Sequence, residues 1–102
     1  MDIDDVQTKL LGFCGCGDAY VNLNYIRNIL AIIDKFYSDK LSTEEYLKEI
    51  VLHFNNNAGA EYFMFYWLDK EGYTEHGGSV PGWLTDEGHE LLRVLNEVLA
   101  DD

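Results

Sequence analysis

Seven consecutive large apolar or aromatic residues, Tyr62-Phe63-Met64-Phe65-Tyr66-Trp67-Leu68, constrain this chain more than any other stretch. Each such side chain gains about 1.5–3 kcal/mol when it leaves water, so the other segments are expected to wrap the run. It reads as a helix over residues 58–71, apolar almost all round, the central buried helix of a small bundle. Gly72 fits the left-handed position that ends such a helix. The bulk of the run also predicts an exposed aromatic edge or a contact between two copies.

The remaining segments have the periodicity to surround it. Residues 3–11 read as a short helix with Val6, Leu10 and Leu11 on one face. Gly12-Phe13-Cys14-Gly15-Cys16-Gly17 reads as an irregular loop, because three glycines in six residues oppose a helix. Asp18 is a candidate N-cap for a helix over 19–37. Its apolar stripe comprises Ala19, Leu23, Ile26, Ile29, Leu30, Ile33, Phe36 and Tyr37. Ser42 and Glu45 have capping-box spacing and open a helix over 43–54, with Leu47, Ile50, Val51 and Phe54 inward. After Gly72, residues 73–76 and 83–84 read as two short strands, with turns at Gly77-Gly78 and at Val80-Pro81-Gly82. Thr85 caps a last helix over 86–99, with Leu91, Leu92, Leu95, Val98 and Leu99 inward. The expectation is one domain over residues 1–102, mainly α: a compact, winged-helix-like bundle of about five helices with a short β-hairpin.

Charge narrows the partners. Seven basic residues face nineteen acidic ones, a formal net charge of −12. Lys9, Arg27, Lys35, Lys40, Lys48, Lys70 and Arg93 are dispersed, whereas phosphate neutralisation needs a concentrated basic face. Direct nucleic-acid binding and docking on anionic membranes are therefore not expected. The acidic excess suits a well-solvated protein or one that meets a basic partner. The acidic N-terminus, Met1-Asp2-Ile3-Asp4-Asp5, differs from the basic start of a secretory signal, and no apolar run nears the ~18 residues of a membrane span. Cys14 and Cys16, one residue apart, would close only a short, strained disulfide loop. Together these features predict a cytoplasmic protein.

Two resemblances emerge from these motifs. Leu68-Asp69-Lys70-Glu71-Gly72-Tyr73, a hairpin, and then Trp83-Leu84-Thr85-Asp86-Glu87-Gly88-His89-Glu90-Leu91-Leu92 are similar to the wing region of MarR-type and PadR-type winged-helix repressors. The likeness spans roughly residues 42–95 and implies a winged-helix fold. In those repressors the corresponding helix and wing carry Arg and Lys onto DNA. Here helix 58–71 has Lys70 against Glu61, Asp69 and Glu71, and the wing has no basic residue. Across nearly its whole length the chain also resembles small uncharacterised bacterial and phage proteins. These join a Phe-Cys-Gly-Cys-Gly loop (Phe13–Gly17) to a Glu-His-Gly-Gly-Ser hairpin (Glu75–Ser79) and a Trp-Leu-Thr helix start (Trp83–Thr85). That likeness implies no particular activity.

Several residue groups are able to carry chemistry. Cys14, Cys16 and His76 can supply three ligands to a metal, with His53, His89 or Glu75 completing the tetrahedron that zinc prefers; the two cysteines equally suit small buried positions in a glycine-rich turn. A nucleophilic cysteine activated by His76 would need an oxyanion hole and an orienting group that no motif supplies. Glu75-His76-Gly77-Gly78-Ser79 suits a small-anion loop or simply a turn that needs glycine. Glu75, Trp83 and Tyr66 are the candidate interaction residues, since exposed Tyr and Trp anchor interfaces. The leading expectation is a non-enzymatic interaction module, an inhibitor from a phage or mobile element that occupies the basic, nucleic-acid-binding face of a partner protein. The alternatives are a winged-helix-like transcriptional regulator and a small zinc-binding protein; a homodimer is compatible with each.

Overall fold

The computed structural model describes residues 3–14, 23–55, 58–77 and 80–99. Among them the elements follow the expected order: α1 (Ile3–Cys14), α2 (Leu23–Tyr37), α3 (Thr43–His53), α4 (Ala58–Lys70), β1 (Thr74–Gly77), β2 (Val80–Leu84) and α5 (Asp86–Val98). The protein is mainly helical, with one two-stranded antiparallel sheet. Helix α1 continues through Gly12 to Cys14, where an irregular loop was expected. One glycine near a helix end costs about 1 kcal/mol and does not by itself break the helix. The rest of the expected loop, Gly15 to Gly17, and the Asp18 cap lie outside the described residues.

The centre of the bundle is α2, not the aromatic α4. Ile26, Ile29, Leu30 and Ile33 are fully excluded from solvent. Their helix packs against α3, α5 and β2. Helix α4 buries Met64, Trp67 and Leu68 but exposes Tyr62 and Tyr66, whose rings stack 6.4 Å apart on its outer side. The run is therefore not wrapped on all sides: Tyr62 and Tyr66 form the exposed aromatic edge that its bulk also predicts. An aromatic helix has no dominant apolar face in its sequence, and tyrosine tolerates water through its hydroxyl.

Helix α3 is rotated from the expected phase. Tyr46, Ile50 and Phe54 are buried, while Leu47 and Val51 are exposed. Both sets have helical spacing. The ring of Tyr46 packs 4.6 Å from that of Phe36 on α2, and this long-range contact selects the buried face. Val98, expected inward on α5, is exposed because the buried stripe there ends at Leu95 with Leu99 only partly covered. Val80, Pro81 and Gly82 form part of β2 rather than a turn. A two-stranded sheet has only edges, where proline is tolerated.

Local chemistry accounts for the element ends. Ser42 and Glu45 make the expected reciprocal box: the Glu45 amide donates to Ser42 Oγ at 3.1 Å, and the Ser42 amide donates to Glu45 Oε1 at 3.0 Å. Helix α4 ends in a Schellman turn at Gly72, with φ +83°. The Tyr73 amide donates to the Leu68 carbonyl at 2.9 Å and the Gly72 amide to the Asp69 carbonyl at 3.1 Å. The ring of Tyr73 meets that of Trp67 at 5.8 Å, the apolar contact that accompanies such a turn. Helix α2 closes in the same way, but with Asp39 at φ +60° in the glycine position.

At the start of α5 the cap is built differently. The Thr85 hydroxyl accepts from the Gly88 amide at 3.1 Å and donates to the Gly72 carbonyl at 2.7 Å. The Thr85 amide donates to the Tyr73 carbonyl at 3.1 Å. Residue 88 occupies the position that holds glutamate in a capping box, but a Cβ there would lie 2.0 Å from that same carbonyl. Glycine lets the backbone of the preceding turn take over the role of the missing side chain.

Three substitutions rank these features. Gly88→Ala is expected to lose about 3 kcal/mol or more, since backbone must move. Gly72→Ala is expected to lose about 1–2 kcal/mol from its left-handed conformation. Asp39→Gly is expected to gain up to about 1 kcal/mol for the converse reason. Urea unfolding of the three variants checks the order; a Gly88→Ala protein as stable as the parent would contradict the close approach.

Glu45 supplies a pH test. The Ser42 backbone amide, and then its hydroxyl, hold the carboxyl below its ordinary value. A depressed folded value means that the stabilisation is complete above the unfolded glutamate value and is lost as pH falls through the folded one. An NMR titration should show the Glu45 midpoint rising part of the way back in Ser42→Ala; an unmoved midpoint would show that the box does not form.

Candidate aromatic–acidic groove

The hairpin register places the site. Thr74 pairs with Leu84 and Glu75 with Trp83, followed by an irregularity before Gly77 pairs with Val80. Strand alternation then sorts the faces: Thr74 and Leu84 are buried, whereas Glu75 and Trp83 are exposed. Cross-strand partners lie side by side, their Cβ atoms about 4.5–5.5 Å apart. On the inner face the Thr74 hydroxyl donates to Asp69 Oδ1 at 2.9 Å, tying β1 to the last turn of α4.

The Thr85 cap then directs the first turn of α5 beside this pair. Gly72, Glu75, Trp83, Asp86 and Glu87 line one open groove. Tyr37, at the end of α2, stands beside the groove's tryptophan: its ring lies 6.4 Å from that of Trp83 with an interplanar angle of 76°. Both rings are partly open to solvent, at 40% for Tyr37 and 39% for Trp83. Burial raises the Tyr37 phenol above its ordinary value.

The groove is lined by acids, and among the described residues none of them is paired with a lysine or arginine. Lys9 pairs with Asp5, Lys70 with Glu71, and Arg93 forks onto Glu90 and Glu97. Hydrogen bonding to Arg93 holds Glu90 below its ordinary value. Among the described residues no lysine or arginine forms an ion pair with Glu75, Asp86 or Glu87. The field extends to Tyr73, whose phenol is raised by burial first and then by Glu71, Glu87 and Asp5.

The expected site residues separate into groups. Glu75 and Trp83 are cross-strand partners in the hairpin. Tyr66 does not line the groove; it stacks on Tyr62 along α4. Cys14 is the last residue of α1 and His76 lies in β1, but their side chains, and Cys16 altogether, lie outside what is described. His53, the last residue of α3, lines an open pocket with Lys35 and Glu49. His89 faces Asp34 at 3.8 Å. No group of three or more His, Cys, Asp or Glu suited to a metal occurs among the described residues, and no helix among them is long and apolar enough to cross a membrane. Tyr37, expected in the buried stripe of α2, stands partly exposed beside Trp83, and Asp86 and Glu87, which belong to no candidate site in the sequence, line the groove. The signal for the two acids was the Thr85 cap, which fixes their positions directly after Trp83-Leu84.

Comparison of the chain with protein-family models, with curated proteins and with solved structures finds no match.

Neutralising Glu87 tests the field. The raised Tyr73 value means that this phenol contributes stability fully below the unfolded tyrosine value, about 10, and that the contribution is lost as pH rises through the folded value. Glu87→Gln is expected to bring the Tyr73 midpoint down in an NMR pH titration. An unchanged midpoint would place Glu87 away from the phenol.

Proposed function

We propose that this protein is a non-enzymatic interaction module that binds a basic partner protein through the groove between the hairpin and α5, and so occupies a face that the partner would otherwise offer to nucleic acid. The observation that carries this reading is the juxtaposition of the half-open Trp83 indole with Glu75, Asp86 and Glu87. Aromatic anchors contribute most of the energy in many interfaces. Carboxylates without a paired lysine or arginine among the described residues supply steering and orientation towards a basic surface. The net charge of −12 acts in the same direction over longer range. A cytoplasmic location and an origin in a phage or mobile element belong to the same proposal and rest on sequence features alone.

Affinity capture with the full chain tests it. Captured partners should be basic and should elute at moderate salt. Their recovery should fall about tenfold or more when Glu75→Lys is combined with Asp86→Asn and Glu87→Gln, as for losing several steering charges, with folding checked by circular dichroism. Equal recovery by this variant would overturn the proposal. So would tight binding to duplex DNA at low salt in a mobility-shift assay, which would favour a transcriptional regulator.

A further inference from the structure

The groove joins two features with different recognition chemistry, and together they select one type of side chain. We infer that it receives an arginine of the partner, the guanidinium lying against the Trp83 indole and its N–H groups meeting the carboxylates of the groove. This deepens the function proposed above and rests on it.

Trp83 lies directly across the hairpin from Glu75, and its neighbour Leu84 is buried, so the strand that carries it is anchored. Tyr37 supports the ring from the side at 76°. An indole held in this way offers a π surface that attracts a cation. Glu75 approaches from the opposite strand, and Asp86 and Glu87 from the helix turn that Thr85 fixes. A cation on the indole therefore has acceptor oxygens on more than one side.

Arginine fits this arrangement better than lysine. Its planar guanidinium stacks on an aromatic surface while its donors fork towards carboxylates, and it is more weakly hydrated than an ammonium. Lysine would gain the charge attraction but neither the stack nor the fork. A purely electrostatic surface would treat the two alike, so an arginine preference is the signature of the combined site.

Short peptides of equal length and charge, rich in arginine, in lysine or in citrulline, provide the test with the full-length protein. Affinity is measured by calorimetry, and the site is located by the NMR shift of the Trp83 indole N–H; the other tryptophan, Trp67, is fully buried. The arginine peptide is expected to bind about tenfold tighter than the lysine peptide, as a partly desolvated cation–π contact allows. The citrulline peptide should lose that binding, and Trp83→Leu should abolish the arginine preference. Glu75→Gln gives a second variant that leaves the indole in place and should weaken the arginine peptide more than the lysine peptide. Equal binding of arginine and lysine, or a preference that survives Trp83→Leu, would overturn the inference. If capture of a basic partner nevertheless depends on the groove carboxylates, the proposed function stands without it; if that capture is also charge-independent, both fall.

Discussion

The hydroxyl of Thr85 joins the end of α4 to the start of α5. It stops the first turn of α5 by accepting from the Gly88 amide, and it satisfies the Gly72 carbonyl at the end of α4. The Thr85 amide adds a third bond, to the Tyr73 carbonyl. The end of one helix thus supplies what the start of another requires, although the hairpin separates them in sequence. Tyr73 and Gly88 are buried, so leaving the Tyr73 carbonyl or the Gly88 amide unpaired would cost about 1–3 kcal/mol each. Gly88 is the steric condition for it, because any side chain would occupy the place of the Tyr73 carbonyl.

The groove follows from this junction. With α4 and α5 joined at residues 72, 73 and 85, the hairpin between them is held in one attitude against α2. Trp83 then reaches Tyr37, and Asp86 and Glu87 emerge beside Glu75. None of these five side chains is needed to build the core, which is supplied by α2 and the residues around it. The contrast with α3 is instructive. There the cap is closed within its own helix by Ser42 and Glu45, and no distant segment depends on it.

What was legible in the sequence was what depends on near neighbours. The Ser42–Glu45 box, the Gly72 stop and the Thr85 cap could be read because each is completed within a few residues. The α2 stripe could be read because four isoleucine or leucine positions repeat along one face. The phase of α3 could not, since Leu47 and Val51 have the same spacing as Tyr46 and Ile50; only the distant ring of Phe36 distinguishes them. The exposed edge of α4 was legible only in part, in Tyr66, because an aromatic helix has no dominant face. Of the groove, Glu75 and Trp83 were visible in the sequence as candidate interaction residues. Tyr37 was not, because the α2 stripe turns towards solvent at its last residue. Gly88 could be placed in a helix turn from sequence, but the carbonyl that requires it is set by tertiary packing.

Amide hydrogen exchange tests the central claim most directly. If the junction is a single cooperative unit, the amides of Tyr73, Thr85 and Gly88 should be protected to about the same free energy as those of Ile29 and Leu30 in α2. Thr85→Val, which keeps the shape but removes the hydroxyl, should lower the protection of all three together. Exchange of the Thr85 and Gly88 amides at the rate of an open loop, while α2 remains protected, would contradict the account.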